Sequence, residues 1–344
     1  MSSAKLAYVT LLMPNEADPK DQQGLKYLPG VLATAHSIRM TEEKDSIPFV
    51  CMVTPDVSPT IIKPMKNSGV EVVKVDYIEQ PIIDTLLKGK QKEVYTSWMN
   101  KSFTKWQCLG LPYDKIVFLD ADLIILSNIE HLFGLETPAG VMNNAWARNS
   151  PFLRDKHDQL VKANKMARAL RNSHVITASC LVLTPDKSHL LGLKKMLGES
   201  KKYGHSKCFS GADEQSIVDY YSAYADGPKS DWIRIGSEYN FIPWKGEERN
   251  AHILHYFNKE KPWMMKRRQW EDLQVWYDVM EDLMSKTGLT AKDLGIPENH
   301  FERKKDEKCY VCKHIRKVGD RYHHLTECDV AKMAMDSQFD GKGV

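Results

Sequence analysis

Short apolar runs alternate with amphipathic stretches over the first hundred residues. Leu6 to Met13 is a run of strand length with Tyr8 and Thr10 inside it. It predicts a buried strand, because a bilayer span needs about 20 apolar residues. After a polar, proline-bearing stretch from Pro14 to Lys26, the residues Leu28, Val31, Leu32, Ala35 and Ile38 recur at helical spacing within Tyr27 to Met40. Pro48–Thr54 and Val70–Val75 predict two more strands, with a short helix over Pro59–Asn67 between them. Strand and helix alternating in this way imply a largely parallel sheet, with a ligand expected beyond the carboxyl ends of its strands.

Further along, Ile116–Leu119 ends abruptly in Asp120-Ala121-Asp122, and apolar residues resume at Leu123–Leu126. Val175–Leu183 predicts another strand, Asp213–Ala223 a helix after Gly211, and Ala251–Phe257 a late strand. Trp270, Leu273, Tyr277, Met280 and Met284 form an amphipathic stripe that could close the domain. Gly288 and Gly295-Ile296-Pro297 then punctuate the chain.

Composition narrows the class. The 344 residues are 42% hydrophobic and 27% charged, an ordinary globular balance that suits one large α/β domain with an appendage, or two units. With 48 basic against 45 acidic side chains the net charge is only +3, which removes any whole-protein electrostatic case for a nucleic-acid or membrane binder. Neither a signal-peptide pattern nor a membrane-length run is present in the sequence, so a cytoplasmic location is expected. Seven cysteines, an odd and scattered set, suit a reducing compartment, and three of them fall in the last 36 residues.

Three constellations could carry chemistry. Asp120 and Asp122, one residue apart at a strand end, could turn toward one hard cation such as Mn²⁺ or Mg²⁺; a capping or turn role is the alternative. His255 at the end of the late strand could complete a divalent-metal shell, and Lys261 could neutralise a diphosphate. For His255 taken alone, a satisfied structural histidine is the commoner reading. Gly211-Ala212-Asp213-Glu214-Gln215 opens a helix on a small-residue turn, although acidic residues also suit a merely solvated helix N-terminus.

In this order the pieces resemble a known family, the family 8 retaining glycosyltransferases that include glycogenin and galactinol synthase. Ala7–Leu11 and Tyr27–Arg39 are similar to the family's first strand and nucleotide-facing helix, and Thr104–Cys108 to its lysine-bearing helix. Phe118–Asp122, running into Asn128–Phe133, resembles its metal motif. Gly211–Glu214, His255–Trp263 and Val275–Asp278 complete a likeness that covers about residues 4 to 289. It implies an α/β, Rossmann-like nucleotide-diphospho-sugar transferase (GT-A type) fold with a mixed sheet flanked by helices, and transfer of a hexose, glucose or galactose, from a UDP-sugar donor to a hydroxyl acceptor. In the implied division of roles, Leu11 and Tyr27 hold the uridine, Lys105 and Lys261 contact phosphate or sugar, and Asp120, Asp122 and His255 hold Mn²⁺ or Mg²⁺. Asp213 and Glu214 are the catalytic pair, Asn143 aligns with a sugar-binding acid, and Asn258 stands where the family has a glycine near the β-phosphate.

Departures from the family pattern are Thr177-Ala178-Ser179 in place of an Asn-Ser-Gly-like turn, and Glu214 in place of an amide. Between Asn240 and His255 there is no tyrosine, so glycogenin-like self-priming is not expected and the acceptor would be a separate polyol, glycan or protein. A rival reading is a catalytically inactive scaffold that engages protein or nucleic acid. Its support is the tail, where Cys309, Cys312, His324 and Cys328 have spacing acceptable for a structural Zn²⁺ site. Free thiols on a helical tail are the alternative. Residues 303 to 317 hold seven basic and two acidic side chains, which could be a solvated face, a nucleic-acid contact or a partner site. The expected organisation is a glycosyltransferase domain over 1–289, a linker over 290–305 and a zinc-binding module over 306–335, with an oligomer possible.

Overall fold

The computed structural model describes residues 4–14, 21, 24–42, 46–80, 97–142, 157–170, 175–199, 212–243, 251–257, 261–266 and 271–302. Strand β1, Leu6–Leu12, is an interior strand of the main sheet, paired on both sides. Side chains alternate across a strand, so its Tyr8 and Leu12 enter one apolar core while Ala7 and Val9 enter the other. Helix α1 (Leu28–Thr41), β2 (Phe49–Val53), α2 (Pro59–Asn67) and β3 (Glu71–Lys74) follow as expected. β1 pairs parallel with β2, and β2 parallel with β3.

On the other side of β1 lies β4, Lys115–Leu119, again parallel. Beyond it the sheet turns mixed. β6 (Ala139–Met142), β7 (Leu160–Val161), β8 (Ile176–Leu183) and β9 (Trp232–Ile235) complete an eight-stranded sheet of order β3-β2-β1-β4-β8-β6-β9-β7. β8 runs antiparallel to β4, which brings its first residues beside the carboxyl end of β4. A second sheet joins β5 (Leu123–Ile125) to β10 (Ile253–His255), antiparallel.

Both faces of the large sheet are covered. A 3₁₀ segment, Ser97–Gly110, and helices α3 (Ala163–Leu170), α4 (Lys187–Gly198) and α5 (Ala212–Ser222) pack on one face. α1 and the long helix α6, Glu271–Thr287, pack on the other. The free edge of β5 is satisfied by α1 instead of by a strand: Thr34 Oγ1 donates to the Leu123 carbonyl at 2.9 Å, and the Ile125 amide donates to Ser37 Oγ at 3.0 Å. Buried backbone groups need such partners.

The lysine-bearing segment is 3₁₀, where the resemblance implied a helix without specifying its type. Past α6, Leu294 and Ile296 are buried in the same core, and Phe301 stacks on Trp276. The core therefore runs beyond residue 289 into the segment expected as a linker. Among the described residues, no helix is long and apolar enough to cross a membrane.

Candidate active site

The chain leaves the large sheet at the end of β4 and enters the small sheet at β5, so Asp120-Ala121-Asp122 forms the turn between them. The Asp120 amide donates to the Ser179 carbonyl of β8 at 3.0 Å, and the Asp122 carbonyl accepts from the Tyr256 amide at 3.0 Å. This turn is pressed against α1. A β-carbon on Gly30 would lie 2.1 Å from the Ala121 carbonyl oxygen and 2.7 Å from the Trp263 ring, so only glycine permits the approach.

Asp120, Asp122 and His255 offer ligand atoms that all lie within 4.8 Å of one another. Asp122 sits between an ammonium and an imidazole, with Lys261 Nζ 2.6 Å from Oδ2 and His255 Nε2 3.3 Å from Oδ1. Burial opposes ionisation of Asp122, but Lys261 and His255 outweigh it and hold the carboxyl well below the usual range. Lys261 is itself buried and donates to the Tyr256 carbonyl at 2.7 Å. Asp120 is pushed upward by burial and by the negative charges of Asp122 and Asp213, against the pull of Lys105.

Lys105 connects the Asp120–Asp122 turn to a further acidic group. Its Nζ lies 3.2 Å from Asp120 Oδ1 and 2.9 Å from Asp213 Oδ2. Burial would lower its pKa, but the two carboxylates raise it, so the ammonium stays charged. Asp213 stands in the first turn of α5 and also accepts from the Ser102 hydroxyl at 3.3 Å. Glu214 Oε1 accepts from the Ala178 amide at 2.9 Å, which ties β8 to the start of α5; Thr177–Ser179, expected to stand in place of a turn, are part of that strand.

Leu11 lies at the carboxyl end of β1, and Tyr27 lies with its ring 5.8 Å from Lys261 Nζ and edge-on to Trp263. The structure thus brings Asp120, Asp122, His255, Lys261, Lys105 and Asp213 into one connected set. Four contributors carried no local signal in the sequence: Gly30, Ser102, Ser179 as a hydroxyl partner, and Asn240. Asn240 Oδ1 accepts from His255 Nδ1 at 2.6 Å and from Ser179 Oγ at 2.7 Å. Asn143, Asn258, Cys309, Cys312, His324 and Cys328 lie outside the described residues, and with them the expected zinc-binding tail.

The sequence profile of glycosyl transferase family 8 matches residues 24–180. The chain is 27% identical to an uncharacterised protein of Acanthamoeba polyphaga mimivirus, over 75% of this chain and 82% of that one. It is also 24% identical to UDP-glucuronate:xylan alpha-glucuronosyltransferase 1 of Arabidopsis thaliana, over 70% of this chain but only 31% of the plant protein. Residues 24–180 form a glycosyl transferase family 8 domain. Its fold is similar to that of the galactosyltransferase LgtC, solved with donor and acceptor sugar analogues, at a TM-score of 0.52 and 12% identity over 80% of this chain and 95% of that one. A GT-A-like mixed α/β fold is therefore established for the family 8 domain. The profile match contains Tyr27, Gly30, Lys105, Asp120 and Asp122 and ends at Cys180. Asp213, His255 and Lys261 lie beyond it, so their place in the site rests on geometry.

Proposed function

We propose that this chain moves a hexose from a UDP-sugar to the hydroxyl of a separate acceptor, with retention at the anomeric carbon and with Mn²⁺ or Mg²⁺ at Asp120, Asp122 and His255. The observation that carries this reading is the convergence of those three donors with Lys261, Lys105 and Asp213 at the carboxyl end of β4. Two carboxylate oxygens and one imidazole nitrogen suit a hard or borderline divalent cation. When bound, the cation would offset the negative charge that grows on the departing diphosphate.

The remaining steps fall to the chain's own groups. Lys261 carries a fixed positive charge into the buried side of the site, where it can meet phosphate oxygens. Tyr27 and the backbone at Leu11 border the space assigned to the nucleoside. Both oxygens of Asp213 are already engaged, by Ser102 and Lys105, which suits electrostatic support of a cationic sugar better than free nucleophilic attack. Glu214 acts through the Ala178 segment of β8 that it anchors. The parts given to Asn143 and Asn258 rest on the family resemblance alone. A polyol, a glycan or a protein side chain would serve as acceptor, and the zinc reading of the tail would be decided by metal content in the wild type and in Cys309→Ser.

The test is release of UDP from UDP-glucose, UDP-galactose and UDP-glucuronate, the last added because of the plant relative's name. The expected result is release from at least one donor, abolished by chelation and restored by Mn²⁺, with no heavy labelling of the protein itself. Release from none of them would overturn the reading in favour of a non-catalytic scaffold.

A further inference from the structure

Asn240 lies just after the 3₁₀ turn Ser237–Tyr239 that follows β9. Its single carbonyl oxygen meets both arms of the candidate metal site. One contact is the imidazole of His255, whose Nδ1 is 2.6 Å away; the other is the hydroxyl of Ser179, 2.7 Å away. Both partners are buried. Ser179 in turn accepts, at its carbonyl, the amide of Asp120. One side-chain oxygen therefore connects the β10 arm, which ends in His255, to the β8 residue that holds Asp120.

The chemistry of that oxygen decides what His255 can do. An amide oxygen only accepts, so the proton of a neutral imidazole must reside on Nδ1. Nε2 then carries a lone pair, and it is the nitrogen that faces Asp122, 3.3 Å from Oδ1. A histidine bound to a metal through one nitrogen commonly has its other ring nitrogen fixed by an acceptor of this kind. We propose that Asn240 is a positioning residue for divalent-cation binding: it sets the tautomer and ring angle of His255 and, through Ser179, ties that ring to the arm bearing Asp120. The proposal rests on the reading of Asp120, Asp122 and His255 as a cation site.

Asn240 is not what holds the strand in place. The Phe241 amide donates to the Ile253 carbonyl at 2.9 Å and the His255 amide to the Phe241 carbonyl at 2.8 Å, and the pairing of β10 with β5 is independent of the side chain. Substitutions at Asn240 can therefore probe the imidazole without dissolving β10.

The experiment is a titration with Mn²⁺ alone, with free Mn²⁺ read by electron paramagnetic resonance. It uses the full chain without donor, together with thermal melts of the metal-free proteins. Asn240→Leu keeps the shape and removes the acceptor, and is expected to weaken the Mn²⁺ Kd by about 10- to 100-fold. Asn240→Asp keeps an oxygen that accepts from both partners, and is expected to bind close to wild type. The proposal is overturned if Asn240→Leu binds as tightly as wild type, or if the Leu and Asp variants weaken alike in step with a lowered Tm. A wild type that binds no Mn²⁺, or an Asp122→Ala that binds like wild type, would remove the cation site itself and the proposal with it.

Discussion

Asp122 and Asp282 are each held by one imidazole and one ammonium, yet they sit in different surroundings. Asp282, on α6, faces His36 Nε2 of α1 and Lys286 Nζ of its own helix, each at 2.7 Å. Its side chain is 32% exposed, and its two partners come from two neighbouring helices. Asp122 meets His255 and Lys261, its side chain is 11% exposed, and Asp120, Lys105 and Asp213 lie within the same network. The first arrangement is a clasp between helices. In the second, buried acidic and basic groups converge where strands end, a costly arrangement for stability alone because desolvation consumes much of the Coulombic gain. The same three side-chain types thus give a fastener in one place and the proposed reaction site in the other, according to burial and to what else converges there.

The largest effect should come from Asp122→Ala. It removes a proposed metal ligand and leaves Lys261 buried without its carboxylate, so metal-dependent UDP release should fall by about 10³-fold or more. Retention of near-wild-type release would place the site elsewhere. Next is Lys105→Met, which leaves Asp120 and Asp213 facing each other without a cation. Loss of about 3 kcal/mol of stability is expected in denaturant titrations, and an unchanged midpoint would show that the bridge is not formed. Gly30→Ala forces a methyl group into the Ala121 carbonyl and should cost about 2 kcal/mol through overpacking. It should also weaken Mn²⁺ binding by displacing the Asp120–Asp122 turn; a fully stable, fully metal-binding variant would refute the close packing.

The clasp should give the smallest effect. Burial works against ionisation of Asp282, but its hydrogen bonds from His36 and Lys286 prevail and bring it down to about 2. A carboxyl depressed in the folded state contributes stability above its unfolded value of about 4 and loses it as pH falls toward about 2. For so exposed a pair the amount is about 1 kcal/mol or less. Asp282→Asn should therefore flatten the acid limb of a Tm-versus-pH curve between those limits and leave UDP release unchanged. A large loss of activity in this variant would erase the contrast between the two aspartates.

How much of this could be read from sequence follows from the range of the interactions. β1, α1, β2, α2 and β3 are legible because each has its own hydrophobic period and its own punctuation, and the observed bounds differ from the expected ones by only a residue or two. Asp120 and Asp122 stand out because acidic residues break an apolar run. The mixed half of the sheet carries weaker marks: β6 includes a glycine, and β7 is only two residues long. α4 did carry a start signal, since Asp186 after Pro185 caps it by accepting the Ser188 amide at 2.6 Å. Asn240 could not have been found. It is an ordinary polar residue whose meaning depends on Ser179 and His255, 61 and 15 residues away. Gly30 was likewise opaque, because its constraint comes from a carbonyl in a different element.

The central claim is that Asp120, Asp122 and His255 hold a divalent cation against a nucleotide diphosphate. Crystals grown with Mn²⁺ and UDP, with data collected at the manganese edge, test it most directly. The account expects an anomalous peak bonded to Asp120, Asp122 and His255 Nε2 and to the diphosphate, with Lys261 near the phosphate oxygens. A diphosphate bound with its manganese elsewhere, or a peak that leaves His255 uncoordinated, would contradict it.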